Sequence, residues 1–251
     1  MTFLVPLSKE IKEQLRTYRF LIVAAAFIFF GLLSPLLAKM TPELLKGLET
    51  SGISIQLPPP TTTDALVQYL KNLTQFGVLL VILLVMGSVA QEKERGTASM
   101  ILSKPLSRLS FLAAKFAGLS LSFLFSLALA GIACYYYTII LFGRLDGLLF
   151  VKINLLLGLW LLVYIAITLF FSTLARSQVV AGGLAFAILI VLSMLSGIPR
   201  VGRYLPGELL SWANRLTVDA PGDAWWAVVI SLGIILACFA TAWQVFERQE
   251  L

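Results

Sequence analysis

Gln91–Arg108 reads QEKERGTASMILSKPLSR, a short charged segment between two long apolar runs. Only 13% of the chain is charged and 59% is apolar, so such an island must lie in water beside a membrane. Lys93, Arg95, Lys104 and Arg108 crowd this short loop, and the positive-inside rule places it in the cytoplasm. Met100-Ile101-Leu102 stand at its centre, where a solvated loop would carry polar residues. They read as a docking surface or, more simply, as residues resting on the membrane.

The composition around this segment is that of a polytopic membrane protein. Mean hydropathy is +0.93 over 251 residues, and a soluble domain of that size carries roughly twice the charge. The net charge of +6 does not imply nucleic acid; cytoplasmic flanks and anionic head groups account for it. Lys9, Glu10, Lys12, Glu13, Arg16 and Arg19 precede the first apolar run with no small-residue cleavage site after it, so no cleavable signal peptide is expected. The chain has 0 histidines, which removes histidine metal sites, Ser-His hydrolase arrangements and histidine proton relays. Cys134 and Cys238 lie in apolar runs without CxxC spacing and read as packed thiols.

The expected fold is all-α with six transmembrane helices in a single domain, 1–251. About twenty apolar residues cross a bilayer as a helix. Six segments qualify, near 20–38, 73–90, 111–142, 153–174, 179–198 and 224–243. Thr63-Asp64 resembles an N-cap, which extends the second helix to about 64–95. Six spans put both termini on one side. With that side cytoplasmic, the inside segments hold eleven Lys and Arg against eight outside, and the inside loops are much shorter. Residues 1–19 read as an interfacial amphipathic helix, with Leu7, Ile11, Leu15 and Tyr18 at spacings of three and four. Two outside loops, 39–72 and 199–223, are large enough to meet an extracytoplasmic partner. The first has a helix start at Thr41-Pro42-Glu43 and a stiff Leu57–Pro60 run. The second holds a short helix with Leu209, Trp212, Ala213 and Leu216 on one face, ahead of the anchoring pair Trp225-Trp226.

Two spans carry small residues at intervals of four, the spacing that lets membrane helices approach closely. Span three has Ala114, Gly118, Ser122, Ser126, Ala130, Cys134 and Thr138, assigned to packing within one bundle. Span five has Ala181, Ala185, Ser193 and Gly197, assigned to the interface of a homodimer, twofold symmetry being the commonest arrangement. Apolar and hydroxyl side chains of spans two and five are expected to line the cavity between the copies.

No acid or base lies near the middle of any span, which argues against an ion-coupled carrier and against an intramembrane enzyme. There is no GxxxxGK[ST] loop, so any ATP is bound by another chain.

Glu94-Arg95-Gly96-Thr97, Leu102-Ser103 and Pro105-Leu106-Ser107-Arg108 together resemble the hallmark of type-2 ABC exporter permeases, roughly E-R/x-G-T-x-x-x-L-L-S-x-P-x-S-R between spans two and three. Ile101 departs from it where many members have leucine. Lys9-Glu10, Leu15-Arg16 and Arg19-Phe20 resemble the family's opening. Size and loops look closest to permeases of nitrous-oxide-reductase maturation and of multidrug or natural-product export. The resemblance implies a cell-membrane permease that moves an amphipathic or hydrophobic substrate outward. It also implies two copies of a separate cytoplasmic ABC ATPase that hold ATP and Mg, and no cofactor on this chain. Glu92, Glu94, Arg95, Gly96, Thr97, Met100, Ile101, Leu102, Pro105 and Arg108 are then the docking residues of a coupling helix. Gly96 would end span two in a left-handed cap, Thr97 would start the short helix, Pro105 would stop it, and Ser107 would cap span three. The alternative is a mechanotransmitter that the same ATPase drives without cargo passing through it.

Overall fold

The computed structural model describes residues 4–46, 59–94, 96 and 107–249. Every regular element among the described residues is a helix. In chain order these are α1 (Leu4–Arg16), α2 (Arg19–Lys46), α3 (Thr62–Val85), α4 (Gly87–Glu94), α5 (Arg108–Phe142), α6 (Gly147–Leu174), α7 (Gln178–Ser196), α8 (Pro199–Gly202), α9 (Gly207–Thr217) and α10 (Trp225–Arg248). Six helical stretches are long and apolar enough to cross a membrane: α2, α3 with α4, α5, α6, α7 and α10. The fold is thus the all-α polytopic one expected.

Local signals set the helix starts. Ser107 accepts a bond from the Ser110 amide before α5, Asp146 from Leu148 before α6, and Ser177 from Val180 before α7. The start of α3 lies two residues earlier than the Thr63-Asp64 reading: Thr61 is the N-cap, and its N–H donates to Asp64 Oδ2 at 2.8 Å. The helix start expected at Thr41-Pro42-Glu43 is instead the interior of α2, which runs through Pro35 and Pro42. Each proline removes one amide, and the hydroxyl just before it turns back onto the helix. Ser34 donates to the Phe30 carbonyl at 2.6 Å and Thr41 to Leu37 at 2.7 Å.

α6 is the central post. Buried residues fill 72% of its most apolar window, against 17% for α7 and 17% for α10, which leaves the last two at the periphery. α2 packs on α5 at Gly31, where any Cβ would sit 2.5 Å from the Ala130 carbonyl oxygen. The span-three stripe does pack within the bundle, but not on one neighbour. Four residues overshoot a full helical turn by about 40°, so six such steps carry the stripe through roughly 240°. It meets α1 at Gly118 and Ser122 and α2 at Ala130. Polar bonds tie the far end. Asn72 donates to Ser34 Oγ at 2.9 Å, and Tyr69 donates to Asn154 Oδ1 at 2.6 Å.

The same drift corrects the reading of span five. Ala181 and Ala185 are 0% and 1% exposed and turn into their own bundle, Ala181 against Met86, Ala90 and Ala175. They are not available to a second copy. Ser193 and Gly197, three and four steps on, have rotated by roughly 120° and 160° and are exposed.

Candidate functional site

The hinge is tied at both ends to helices distant in sequence, α6 on the entry side and α10 on the exit side. On the entry side, α3 stops at Val85 and the chain restarts as α4 at Gly87. Ser172 of α6 fills the break: its hydroxyl donates to the Met86 carbonyl at 2.8 Å and accepts from the Val89 and Ala90 amides at 3.0 Å each. A carbonyl and amide that a continuous helix would pair with each other, Met86 and Ala90, are instead joined through this oxygen. α4 then ends with Gly96, φ +68°, whose N–H reaches the Lys93 carbonyl at 3.0 Å. This is the left-handed stop expected there.

Two cations of the hinge close helix C-termini. Lys93 Nζ donates to the Thr173 carbonyl at the end of α6 at 2.5 Å, and Gln249 donates to that oxygen at 3.0 Å. Arg108 Nη1 donates to the Phe246, Glu247 and Gln249 carbonyls at 2.6, 2.8 and 3.0 Å, closing α10. A positive charge is favoured at this pole of a helix. Phe111 and Phe246 stack beneath Arg108, with ring centres 5.6 Å apart.

A buried ion cluster ties α1 to both sides of the hinge. Lys115, 2% exposed, lies two turns inside α5. Its ammonium donates to Glu92 at 2.8 Å and to Glu10 at 3.1 Å. The carboxylates of Glu10, Glu13 and Glu92 lie within 4.8 Å of one another, the spacing of a cation site, and Lys115 supplies a cation there. Burial holds the Glu10 carboxyl above its ordinary value; Lys115 opposes the rise, and the Glu13 and Glu92 charges add to it. α1 therefore docks by an unusual face. Pro6, Glu10 and Gln14 are buried, while Ile11 and Leu15 of the expected apolar stripe are left exposed.

These contacts revise two of the expected docking residues. Glu92 is turned inward onto Lys115, because the ammonium beside it is buried and needs counter-charge. Arg108 is spent on the α10 carbonyls instead of facing outward. Glu94 and Gly96 are exposed at the foot of α4. Arg95, Thr97, Met100, Ile101, Leu102 and Pro105 lie outside the described residues. Ser107 caps α5 as expected.

Sequence reading missed Lys115, Lys93 and Ser172 as a set. Lys115 had a signal: a lone lysine seven residues into a long apolar helix. Ser172 had none, since one serine in an apolar helix does not reveal a break in its neighbour.

At the other end of the bundle, α3 and α7 diverge around an open groove of about 650 Å³. Phe76, Leu79, Trp160, Ile190 and Met194 make it mainly apolar, with Thr74, Gln75 and Ser193 as polar points. Leu210 of α9 lines one margin. α9 itself is seated on the bundle by Leu209 and Ala213, and Thr63 donates to its Thr217 carbonyl at 3.3 Å.

Residues 5–216, from α1 through α9, match the profile described as ABC-2 family transporter protein. A relative, the uncharacterized transmembrane protein YxlG of Bacillus subtilis (strain 168), is 27% identical over 250 residues, covering 97% of this chain and 96% of that protein. The matched region contains the ion clamp of Lys115 with Glu10, Glu13 and Glu92, the hinge and the groove, and the chain is a membrane transport component that belongs to the ABC-2 transporter family.

Proposed function

We propose that this chain is the permease subunit of an ABC exporter, moving an amphipathic or hydrophobic substrate outward under the drive of a separate cytoplasmic ATPase. The observation that carries the reading is the pinning of the hinge. Glu92, Lys93 and Arg108 join its two flanks to α5, α6, α10 and, through Lys115, to α1. A push on the intervening segment is therefore delivered to four helices at once. Met100, Ile101 and Leu102, together with Glu94, Arg95, Gly96, Thr97 and Pro105, are the residues assigned to meet the ATPase. ATP and Mg belong to that partner. Two permease copies and two ATPase copies make the unit, and the groove between α3 and α7 is where cargo meets the permease. Its mix of apolar walls with Thr74, Gln75 and Ser193 suits a molecule with both characters. Both termini lie in the cytoplasm, in accord with the short, basic inside loops.

The test is reconstitution in vesicles with the ATPase. Ile101→Asp and Leu102→Asp should abolish co-purification and ATP-coupled export, because apolar anchors dominate such interfaces. Normal binding by both variants refutes the docking assignment. Normal binding and ATPase stimulation without transport of any amphipathic probe would favour mechanotransmission. For orientation, a cysteine at Glu94 should react with an impermeant thiol reagent only after permeabilisation, and one at Asp223 before it; the reverse inverts the topology.

A further inference from the structure

α1 buries Glu10 and Gln14 and leaves three of its apolar side chains uncovered, an arrangement that needs a reason. Val5, Ile11 and Leu15 are 70%, 37% and 48% exposed. Ile11 and Leu15, with Phe20, open a groove of about 230 Å³ against Leu121 and Phe125 of α5. Leu121 and Phe125 are themselves 52% and 56% exposed on a membrane-spanning helix, so the groove is continuous with the lipid-facing surface. On the adjoining face of α1, Lys9, Lys12 and Arg16 border a shallow concavity of about 760 Å³. Lys12 and Arg16 each follow one of Ile11 and Leu15, about 100° further round the helix, so the basic face flanks the apolar one. Glu13 lies at the rim, but its carboxylate is held within 4.8 Å of those of Glu10 and Glu92, on the far side. Among the described residues, none of the three cations is in an ion pair.

We propose that α1 and α5 form a binding site for one anionic phospholipid, its acyl chain along Ile11, Leu15, Leu121 and Phe125 and its phosphate at Lys12 and Arg16. An apolar slot that opens into the bilayer selects a chain, and cations at its mouth select a negative head group. A soluble protein partner would need the basic face and have no use for a slot that opens to hydrocarbon. The proposal needs only α1 at the membrane surface and stands whether or not an ATPase docks at the hinge.

The experiment is delipidation of the purified full chain followed by native mass spectrometry with added phosphatidylglycerol or phosphatidylcholine. Phosphatidylglycerol should be retained as one tightly held molecule per chain, in preference to phosphatidylcholine. Lys12→Gln with Arg16→Gln should cut that preference by about fivefold for each cation removed. Leu15→Ser should weaken both lipids alike. Millimolar inorganic phosphate should not compete; if it displaces the lipid, the site is for a free anion and the proposal fails. Equal retention of the two lipids by the unaltered chain also overturns it, and this comparison decides even if a variant misfolds. Loss of ATPase binding by the charge variants with lipid preference intact would assign the basic face to a protein partner instead.

Discussion

Ser172→Ala removes one oxygen and is expected to weaken the whole entry side of the hinge. The hydroxyl is fully buried and serves three backbone groups, the Met86 carbonyl and the Val89 and Ala90 amides. Two outcomes compete once it is gone. The helix can close, pairing Met86 directly with Ala90, or those groups can remain unsatisfied in an apolar interior. Closure requires α4 to shift, and three contacts resist that: Lys93 on Thr173, Glu92 on Lys115, and Ala90 against Ala175 and Ala181. The second outcome therefore dominates. A buried polar group left without a partner costs about 1–3 kcal/mol, and partial re-pairing recovers some of it, so a loss of about 2–3 kcal/mol is expected. Chemical unfolding in mixed micelles measures the total. Hydrogen exchange of the 86–94 segment measures where it falls, and the Val89 and Ala90 amides should lose protection first. A stability change within ~0.5 kcal/mol together with unchanged exchange would show that the hydroxyl does not hold the break.

Three further outcomes follow from the clamp and the bundle surface. Lys115→Met should destabilise by about 3–5 kcal/mol, because it strands buried carboxylates; adding Glu10→Gln and Glu92→Gln should restore most of the loss, and failure to do so refutes the ion cluster as the cause. Because Glu10 has a raised value in the folded state, the stability it adds is complete below the ordinary glutamate value and is lost as pH rises through the raised one, with Glu13, Glu92 and Lys115 facing it. Limited proteolysis of α1 should thus speed up over that rise, and Glu10→Gln should flatten the response. Cysteines at Ser193 and Gly197, in a background lacking Cys134 and Cys238, should cross-link two copies, whereas cysteines at Ala181 and Ala185 should not; the opposite pattern would mean that α7 turns its other face outward.

The spans were legible because the bilayer imposes a length and a composition that nothing else in the chain imitates. Gly96 and Ser107 were legible too, since each does its work within its own stretch of chain, Gly96 by its backbone and Ser107 by a hydroxyl that accepts from the amide three residues on. What the sequence concealed depends on a second helix. The interval of four suggested one continuous face on each small-residue stripe, but about 40° of drift per step turns a stripe into a spiral. On α5 the spiral stays buried or half-buried because a new neighbour waits at each stage; on α7, Ser193 and Gly197 are exposed among the described residues. Lys93 looked like one more loop charge and Arg108 like a docking residue because the carbonyls they close belong to α6 and α10, far along the chain. Glu92 looked like a partner-facing acid for the same reason, its counter-charge being supplied by Lys115 on α5. A hinge that must transmit force cannot be loosely attached, so charges beside it have two possible uses, gripping a motor or gripping the permease. Here the inner charges grip the permease, and in the proposed function the apolar centre and Glu94 are assigned to the motor. Substitutions at Glu92 or Arg108 should consequently damage the permease even without its ATPase, whereas those at Ile101 or Leu102 should be silent until the ATPase is added.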